Sequence, residues 1–474
     1  MVMALAPEIV LLAAAGAAML VHLGRKHGGG RAAGFVALAG VAAAGLALAV
    51  APRPAGGLFA GSFLPDAFAV YFKAVILIGG FLAIALSFRY FRHEGPEPGE
   101  AYYLILLAAV GMLFAVSAGD LITAYVAFET FAIPSYILTG FCRRDRRSPE
   151  AAVKYFFLGT LSSGVMLLGM ALVFGLSGET NFAAAARILG GANEPLALTG
   201  MILFFAGLFF KLSLVPFHMW APDVYEGAPV PIAVFLSTAP KAATFALLIR
   251  VAAGLFGRFE PQWTSIFGVL ALATMFWGNL AALLQDNIKR MMAYSSIAHA
   301  GYIAVGLAAW GEPARTAVMF YLFVYVFMNA GAFGLILLWT KGPGFGEEVA
   351  DLRGLVRSSP LAAASLVVIL LSLTGIPPTA GFMGKYFLFQ AAVGRKLYGL
   401  ALAGALNSAI SLFYYFRVGR AAFLEEPPPG EGRPPGSSRR PSPAVVALLS
   451  LCALALLVLG ILPHLIADWA AAAR

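Results

Sequence analysis

The chain contains 474 residues, of which 61% are hydrophobic and only 12% are charged, and its formal net charge is +9. About one quarter of the residues in soluble domains are charged, so this composition excludes an ordinary soluble enzyme, and the recurring apolar segments predict an all-α polytopic membrane protein. The positive charge is expected in basic cytoplasmic loops and not at a nucleic-acid surface, and the two cysteines indicate neither a disulfide framework nor a metal site.

Apolar segments of roughly 20 residues, the length that crosses a bilayer as a helix, predict about fourteen transmembrane spans. They lie at 5–23, 33–51, 67–88, 101–117, 119–141, 151–177, 196–219, 228–254, 262–284, 287–309, 314–340, 360–391, 397–420 and 443–466. The first span has no preceding basic residues and no convincing cleavage site, so we interpret it as a mature helix and not as a signal peptide.

Most lysines and arginines lie in loops that follow odd-numbered spans. Since cytoplasmic loops carry an excess of these residues, we predict that both termini face the periplasm. The low-complexity segment EEPPPGEGRPPGSSRRPSP, residues 425–443, is predicted to be a polar linker between the last two spans. No metal, dinucleotide or phosphate-binding motif occurs in a convincing context, so this chain is expected to hold no cofactor itself.

Four charged residues inside the spans are the main functional candidates: Glu129, Lys211, Lys241 and Lys385. An unpaired charge near the bilayer centre costs roughly 3 kcal/mol, and burial disfavours the ionised form of any group. A structural ion pair would explain one or two of these residues, but three lysines against one glutamate leave charge unpaired. Groups held near neutrality exchange protons, so the set predicts a proton relay.

Three other residues are candidates for the same relay. His299, in YSSIAHAGY, lies near the middle of span 10 among hydroxyl groups that can hold water, and His218 ends span 7. Lys154 follows Glu150 by four residues and shares its helix face, so a surface ion pair and a role in proton uptake are both open. Lys73 lies near a span end, where its stem is expected to snorkel to the surface in a structural role.

Prolines are predicted to break spans 7 and 12. Lys211 precedes Pro216, whereas Pro377 and Pro378 precede Lys385. Proline removes a helical hydrogen bond, and such breaks survive in a membrane only against protein or water. Because the two spans cross in opposite directions, the reversed order is typical of an inverted repeat with a transport site at its broken helices. The alternative to an inverted repeat is that each proline only kinks its helix, as is common in membrane proteins.

This symmetry predicts the domain organisation. Residues 1–100 hold the first three helices, 101–254 a first antiporter-like repeat of five helices, and 262–420 a second, inverted repeat. Residues 421–442 are the Pro/Arg-rich cytoplasmic linker, and 443–474 hold the last helix.

Three segments carry a family resemblance over nearly the whole chain: FKLSLVPFHMWAPDVYEGAPVPIAVFLSTAPKAATFAL at 210–247, DNIKRMMAYSSIAHAGYIAVGL at 286–307 and LTGIPPTAGFMGKYFLF at 373–389. They resemble the antiporter-like membrane subunits of NADH-quinone oxidoreductase, respiratory complex I, and among these the subunit N type. The linker at 425–443 is longer than is usual in that family.

The resemblance implies a proton pump coupled to quinone reduction in partner subunits. It implies that Glu129 pairs with Lys211, that Lys241 is the central lysine, and that Lys385 is the terminal proton donor or acceptor. His218 and His299 would help to carry protons between them. The partners implied are neighbouring membrane subunits of the complex, and NADH, FMN, iron–sulfur clusters and quinone would lie on other chains.

Two other functions remain open from the sequence. One is an Mrp-type cation/proton antiporter subunit, which would use the same residues but would be driven by an ion gradient. The other is a non-pumping membrane scaffold of a hydrogenase-type complex, in which the buried charges support assembly alone. A bacterial inner membrane is the expected location in each case.

Overall fold

The computed structural model describes residues 2–25, 29–54, 56–91, 99–191, 193–338, 346–426 and 442–473, so most of the predicted linker lies outside it. Within these ranges the regular structure is helical and β-structure is limited to isolated bridges, which confirms the all-α architecture. The α-helices are α1 Ala6–Gly24, α2 Gly29–Val50, α3 Ala67–Phe91, α4 Gly99–Val116, α5 Leu121–Thr139, α6 Arg147–Ser177, α7 Phe182–Leu189, α8 Glu194–Leu212, α9 Trp220–Gly227, α10 Val230–Arg250, α11 Glu260–Leu283, α12 Ile288–Ala308, α13 Glu312–Gly334, α14 Leu355–Ser358, α15 Pro360–Thr374, α16 Ala380–Gly394, α17 Tyr398–Phe423, α18 Pro443–Ile461 and α19 His464–Ala472.

Thirteen helices of the described ranges are long and apolar enough to cross a membrane. The predicted span 12 is divided between α15 and α16, which have 15 residues each. The apolar window of α10 is 100% buried, and those of α12 and α13 are 94% buried, whereas that of α6 is only 33% buried. A helix that is apolar on all sides belongs in a core, so α10, α12 and α13 form the centre of the bundle.

The first proline interrupts the helical chain between α8 and α9. Ser213 adopts a left-handed conformation with a φ of 59°, and its N–H donates to the carbonyl oxygens at the end of α8. The Val215–Pro216 bond is cis, and the N–H of Val215 donates to Thr274 Oγ1 on α11 at 3.0 Å. A side chain of another helix therefore satisfies backbone that the break leaves unpaired, as the membrane interior requires.

The second interruption lies between α15 and α16. Gly375 has a φ of 88°, which favours glycine, and the Pro377–Pro378 bond is cis. The N–H of Gly381, in the first turn of α16, donates to Ser372 Oγ at 3.0 Å. Both breaks thus lie at the prolines that the sequence singled out, while the inverted repeat remains a prediction.

Lys73 lies in the core, and the expectation that its stem would snorkel to the surface is wrong. Its side chain on α3 is 1% exposed and its Nζ lies 2.6 Å from Glu8 Oε1 on α1. The nearby Asp66 pairs instead with Arg250 at 2.6 Å. The Glu8–Lys73 pair therefore ties the first helix to the bundle through two buried charges.

Replacing Glu8 with leucine is expected to lower the free energy of unfolding by about 3–5 kcal/mol, because it leaves the Lys73 charge buried without a partner. Thermal unfolding of the detergent-solubilised protein measures the loss. The double variant Glu8→Leu/Lys73→Met removes both charges and is expected to recover most of the stability. Equal melting temperatures for wild type and Glu8→Leu would contradict this account.

Candidate functional site

The predicted relay residues occupy the helices around the centre of the bundle. Lys211 lies on α8, Lys241 on α10, His299 on α12 and Lys385 on α16, and each is at most 3% exposed. Glu129 lies half-buried on α5. Four of the five are thus on helices long and apolar enough to cross a membrane, and Lys385 lies on the shorter helix α16.

Lys211, Lys241 and Lys385, which we call the core lysines, lack the carboxylate partners that other lysines of the described chain have. Lys73, Lys154 and Lys289 form ion pairs with carboxylates. Within the described ranges, no carboxylate lies within ion-pair distance of the other three buried lysines. Removing a charge from water costs free energy. Each of these three lysines has a different set of neighbouring groups, and not a carboxylate, to offset that cost.

The Lys211 ammonium lies among aromatic rings. Its Nζ is buried and has no hydrogen-bond partner among the described residues. Glu129 is close enough to act on it electrostatically, but the two groups do not form a direct ion pair, and Glu129 Oε1 is itself buried without a hydrogen-bond partner. The pairing implied by the family resemblance is therefore an interaction at a distance in this structure.

Lys241 binds one residue of α12. Its Nζ donates to Ser296 Oγ at 2.5 Å and to the Ser296 carbonyl oxygen at 3.0 Å. The hydroxyl of Tyr325 on α13 donates to the same Ser296 Oγ at 2.7 Å. A hydroxyl both accepts and donates, so Ser296 connects the lysine to the tyrosine.

His299 lies between two tyrosine hydroxyls. Its Nδ1 is 2.6 Å from the Tyr321 hydroxyl and its Nε2 is 3.3 Å from the Tyr415 hydroxyl. Tyr415 also contacts Ser295 Oγ. Both Lys241 and Lys385 are close enough to act on this histidine electrostatically.

Lys385 reaches across the second break. Its Nζ donates to the carbonyl oxygens of Leu373 and Thr374, at 3.0 and 2.8 Å, at the end of α15. The last carbonyl groups of a helix lack intrahelical partners, and the helix dipole favours a cation there. The ammonium also lies 4.3 Å from the centroid of the Tyr302 ring. The break therefore creates the site that Lys385 occupies.

An asparagine network continues from Tyr302 towards α17. Asn279 Nδ2 donates to the Tyr302 hydroxyl at 3.2 Å and to Asn407 Oδ1 at 3.1 Å. The Tyr414 hydroxyl donates to Asn279 Oδ1 at 3.0 Å. Polar groups thus surround the second half of the predicted relay on several helices.

His218 lies apart from this centre. It is in the break before α9, where its ring packs against Trp277 with centroids 5.5 Å apart, and its Nδ1 is buried without a hydrogen-bond partner. The neighbouring Met219 is 74% exposed. The structure therefore places His218 near the outer face of the chain, and it forms no hydrogen bond with a core lysine.

Lys154 belongs to a charged network at the start of α6, α9 and α12. Its Nζ lies 2.9 Å from Glu150 and 2.8 Å from Asp223, and Arg290 lies 2.7 Å from Asp223 and 2.8 Å from Glu226. Partial burial alone would raise the pKa of Asp223, but hydrogen bonds from Lys154 and Arg290 hold that pKa below its ordinary value. The network is partly exposed, so each pair is worth at most about 1 kcal/mol.

Sequence reasoning missed the tyrosines and asparagines that surround His299 and Lys385. Tyr321, Tyr325, Tyr415 and Asn279 are all buried and all have hydrogen-bonded side chains. Tyrosine counts as apolar in a hydropathy profile although its hydroxyl needs a partner when it is buried. Polar atoms at helical spacing on facing spans are the signal that would have found them.

The arrangement is suited to proton exchange. Amines, imidazole and hydroxyl groups can each gain or lose a hydrogen-bonded proton, and three lysines share the core with one histidine. In the part of the chain that the structure describes, no three histidine, cysteine, aspartate or glutamate side chains converge on a metal position.

Comparison with known proteins gives a consistent result. A family model described as NADH:quinone oxidoreductase/Mrp antiporter, TM, matches residues 118–411. NADH-quinone oxidoreductase subunit N from Trichlorobacter lovleyi is 42% identical over 415 residues, which is 87% of this chain and 85% of that protein. A chain of respiratory complex I from Thermus thermophilus with bound aureothin has a TM-score of 0.83 and 33% identity, over 98% of this chain and 99% of that one. A chain of the Mrp complex from Dietzia sp. DQ12-45-1b has a TM-score of 0.87 over 100% of this chain and 97% of that one, but its 22% identity limits the likeness to the fold.

The close contact of α15 and α16 predicts a glycine requirement at position 381. A Cβ on Gly381 would overlap the carbonyl group of Ser372, so Gly381→Ala must push the two helices apart. We expect a loss of about 1–3 kcal/mol in the free energy of unfolding, measured by thermal unfolding in detergent.

Gly394 at the other end of α16 is the matched control. A Cβ there meets nothing within 4 Å, so Gly394→Ala is expected to leave the melting temperature unchanged. Equal losses for the two variants would show that the close approach at Gly381 does not limit the packing.

Proposed function

The chain belongs to the NADH-quinone oxidoreductase subunit N family, and on that basis we propose that Lys211, Lys241 and Lys385 carry the protons that it translocates. It is a membrane subunit of a multi-subunit, proton-pumping NADH:quinone oxidoreductase and carries no redox centre itself. NADH, FMN, iron–sulfur clusters and quinone belong to partner subunits, and its neighbours are the other membrane subunits of the complex.

One observation carries the assignment of the residues. Within the described ranges, the three lysines are fully buried in the core and none has a carboxylate within ion-pair distance. A structural lysine in such a position would have a counter-ion, as Lys73 has. A lysine that gains and loses its proton needs surroundings that tolerate both forms.

Glu129 controls the charge on the first lysine in this proposal. It acts on Lys211 across a gap, so a change in its distance or charge alters the energy of the ammonium. At an effective dielectric constant of about 20, two charges 4–6 Å apart interact by about 3–4 kcal/mol. Since 1.36 kcal/mol corresponds to about one unit on the pH scale, such a change is sufficient to release a proton.

The proton then moves along the core. Ser296 and Tyr325 offer hydroxyl groups beside Lys241, and His299 lies between Lys241 and Lys385 with a tyrosine at each ring nitrogen. Groups that both donate and accept are suited to pass a proton on. Lys385, whose Nζ donates to two carbonyl oxygens at the end of α15, is the last buried group to hold the proton.

Lys154 and His218 act at the margins of this path. Lys154 lies in a partly exposed network with Glu150 and Asp223, whose carboxylates favour the local concentration of protons. His218 lies in the break that follows Lys211, where its Nδ1 is buried and has no hydrogen-bond partner among the described residues.

The Mrp-type antiporter subunit and the non-pumping scaffold, which the sequence left open, have less support than the proton-pumping subunit. The likeness to the Mrp complex concerns the fold alone, at 22% identity, whereas the subunit N relative is 42% identical. A non-pumping scaffold does not account for three buried lysines without counter-ions, and it predicts that their replacement leaves coupling intact.

Lys211→Met, Lys241→Met and Lys385→Met are expected to uncouple proton translocation from electron transfer in the assembled complex. Loss of an acid–base group slows proton transfer by about 100-fold or more, so the path through this subunit closes. Proton uptake into membrane vesicles, divided by the rate of NADH–quinone turnover, measures the effect.

Lys396→Met is the control, because this exposed lysine has no ion pair in the described chain. It is expected to retain the wild-type ratio of protons to electrons. An unchanged ratio for all three core variants, with the complex assembled, would falsify the relay and favour the scaffold.

We further propose that the protein lies in the bacterial inner membrane with both termini in the periplasm, as the loop charges predict.

In a Cys142→Ser background, Met3→Cys is expected to react with an impermeant maleimide in cells whose outer membrane has been permeabilised. Arg144→Cys is expected to react only in inverted vesicles. Met3 is 69% exposed and Cys452 is buried, so labelling reports the chosen position. The opposite pattern would reverse the orientation.

A further inference from the structure

The Lys211 ammonium is surrounded by four aromatic rings. Its Nζ lies 5.9 Å from the centroid of Phe128, 5.2 Å from Phe131, 5.2 Å from Tyr136 and 4.8 Å from Tyr155. We call these four rings the aromatic cage. A cation within about 6 Å of a ring centroid is attracted by the ring quadrupole, most strongly where water is excluded.

Few other groups within the described ranges stabilise this ammonium. Lys211 is 2% exposed, its Nζ has no hydrogen-bond partner, and it forms no direct ion pair. Lys241 and Lys385, by contrast, each donate to two oxygen atoms. The cage therefore takes the place that oxygen acceptors occupy at the other two lysines.

The ring nearest the ammonium is held firmly in its orientation. Tyr155 stacks on Trp220 with centroids 4.4 Å apart and planes inclined by 8°. Trp220 begins α9, and its Nε1–H donates to the Phe210 carbonyl oxygen at 2.7 Å, one residue before Lys211. The break thus fixes the plane of the closest ring relative to the lysine.

We propose that the aromatic cage holds the protonated form of Lys211 and that Tyr155 and Phe131 are positioning residues for proton translocation. The proposal rests on the proposed relay. The ring faces attract the ammonium but offer little to the neutral amine, and neither tyrosine hydroxyl of the cage is hydrogen-bonded to Nζ. Proton transfer from Lys211 then depends on Glu129 and on water admitted at the break.

The first experiment separates the ring from the hydroxyl group of Tyr155. In vesicles containing the assembled complex, Tyr155→Leu is expected to cause at least about half of the loss in protons per electron that Lys211→Met causes. Tyr155→Phe keeps the ring and is expected to retain wild-type coupling. Phe157→Leu makes an equivalent change on a side chain that is 67% exposed, outside the cage, and is expected to have no effect.

The second experiment varies the electrostatics of one ring with little change in shape. Phenylalanine with one, two or three ring fluorines, incorporated at position 131, weakens the quadrupole stepwise. Coupling is expected to fall with each fluorine, and the same series at the exposed position 157 is expected to be flat. A packing role predicts equal coupling across the series at position 131.

The outcomes distinguish the two proposals. If Lys211→Met, Lys241→Met and Lys385→Met all leave the ratio of protons to electrons unchanged, the relay itself is wrong. If Lys211→Met lowers the ratio while Tyr155→Leu and the fluorinated series do not, the relay stands and the cage proposal is overturned. A graded loss at position 131, with wild-type assembly, supports the cage.

Discussion

The cost of holding an ammonium group away from water governs the arrangement of this molecule. Within the described core, three lysines meet that cost in three ways: Lys211 with aromatic rings, Lys241 with a serine hydroxyl and carbonyl, and Lys385 with the end of a helix. None of these partners carries a full negative charge. Each therefore stabilises the charged form only in part, and the surrounding helices determine whether the proton stays. The same constraint gives the opposite result at Lys73, where a carboxylate fixes the charge.

The helix breaks follow from the same requirement. A continuous helix satisfies its own carbonyl groups and leaves none for a lysine. The interruption after Thr374 exposes two carbonyl oxygens to Lys385, while Ser372 accepts the N–H of Gly381 and so keeps the broken ends together. At the other break, Thr274 accepts the N–H of Val215. Irregular backbone is thus tolerated in the membrane because other helices complete its hydrogen bonds.

The structural features that depend on the local amino-acid sequence were predictable from it. Apolar length predicted the crossing helices, proline predicted both breaks, and the cost of burial identified the core lysines. The sequence did not predict contacts between helices that are distant along the chain. The Glu8–Lys73 pair joins α1 to α3, and the Tyr321 hydroxyl on α13 contacts His299 on α12. The resemblance implied that Glu129 pairs with Lys211. In the structure Glu129 acts on Lys211 at a distance, and aromatic rings surround the ammonium. Hydropathy treats those rings as passive packing, although their faces attract cations.

The Glu8–Lys73 pair also bears on biogenesis. Glu8, in the first turn of α1, is synthesised before Lys73 in α3, and both side chains are buried in the folded chain. Lys73 reaches that carboxylate only once α3 lies beside α1. The opposite charges therefore favour the association of α1 with α3 as soon as both helices are in the membrane.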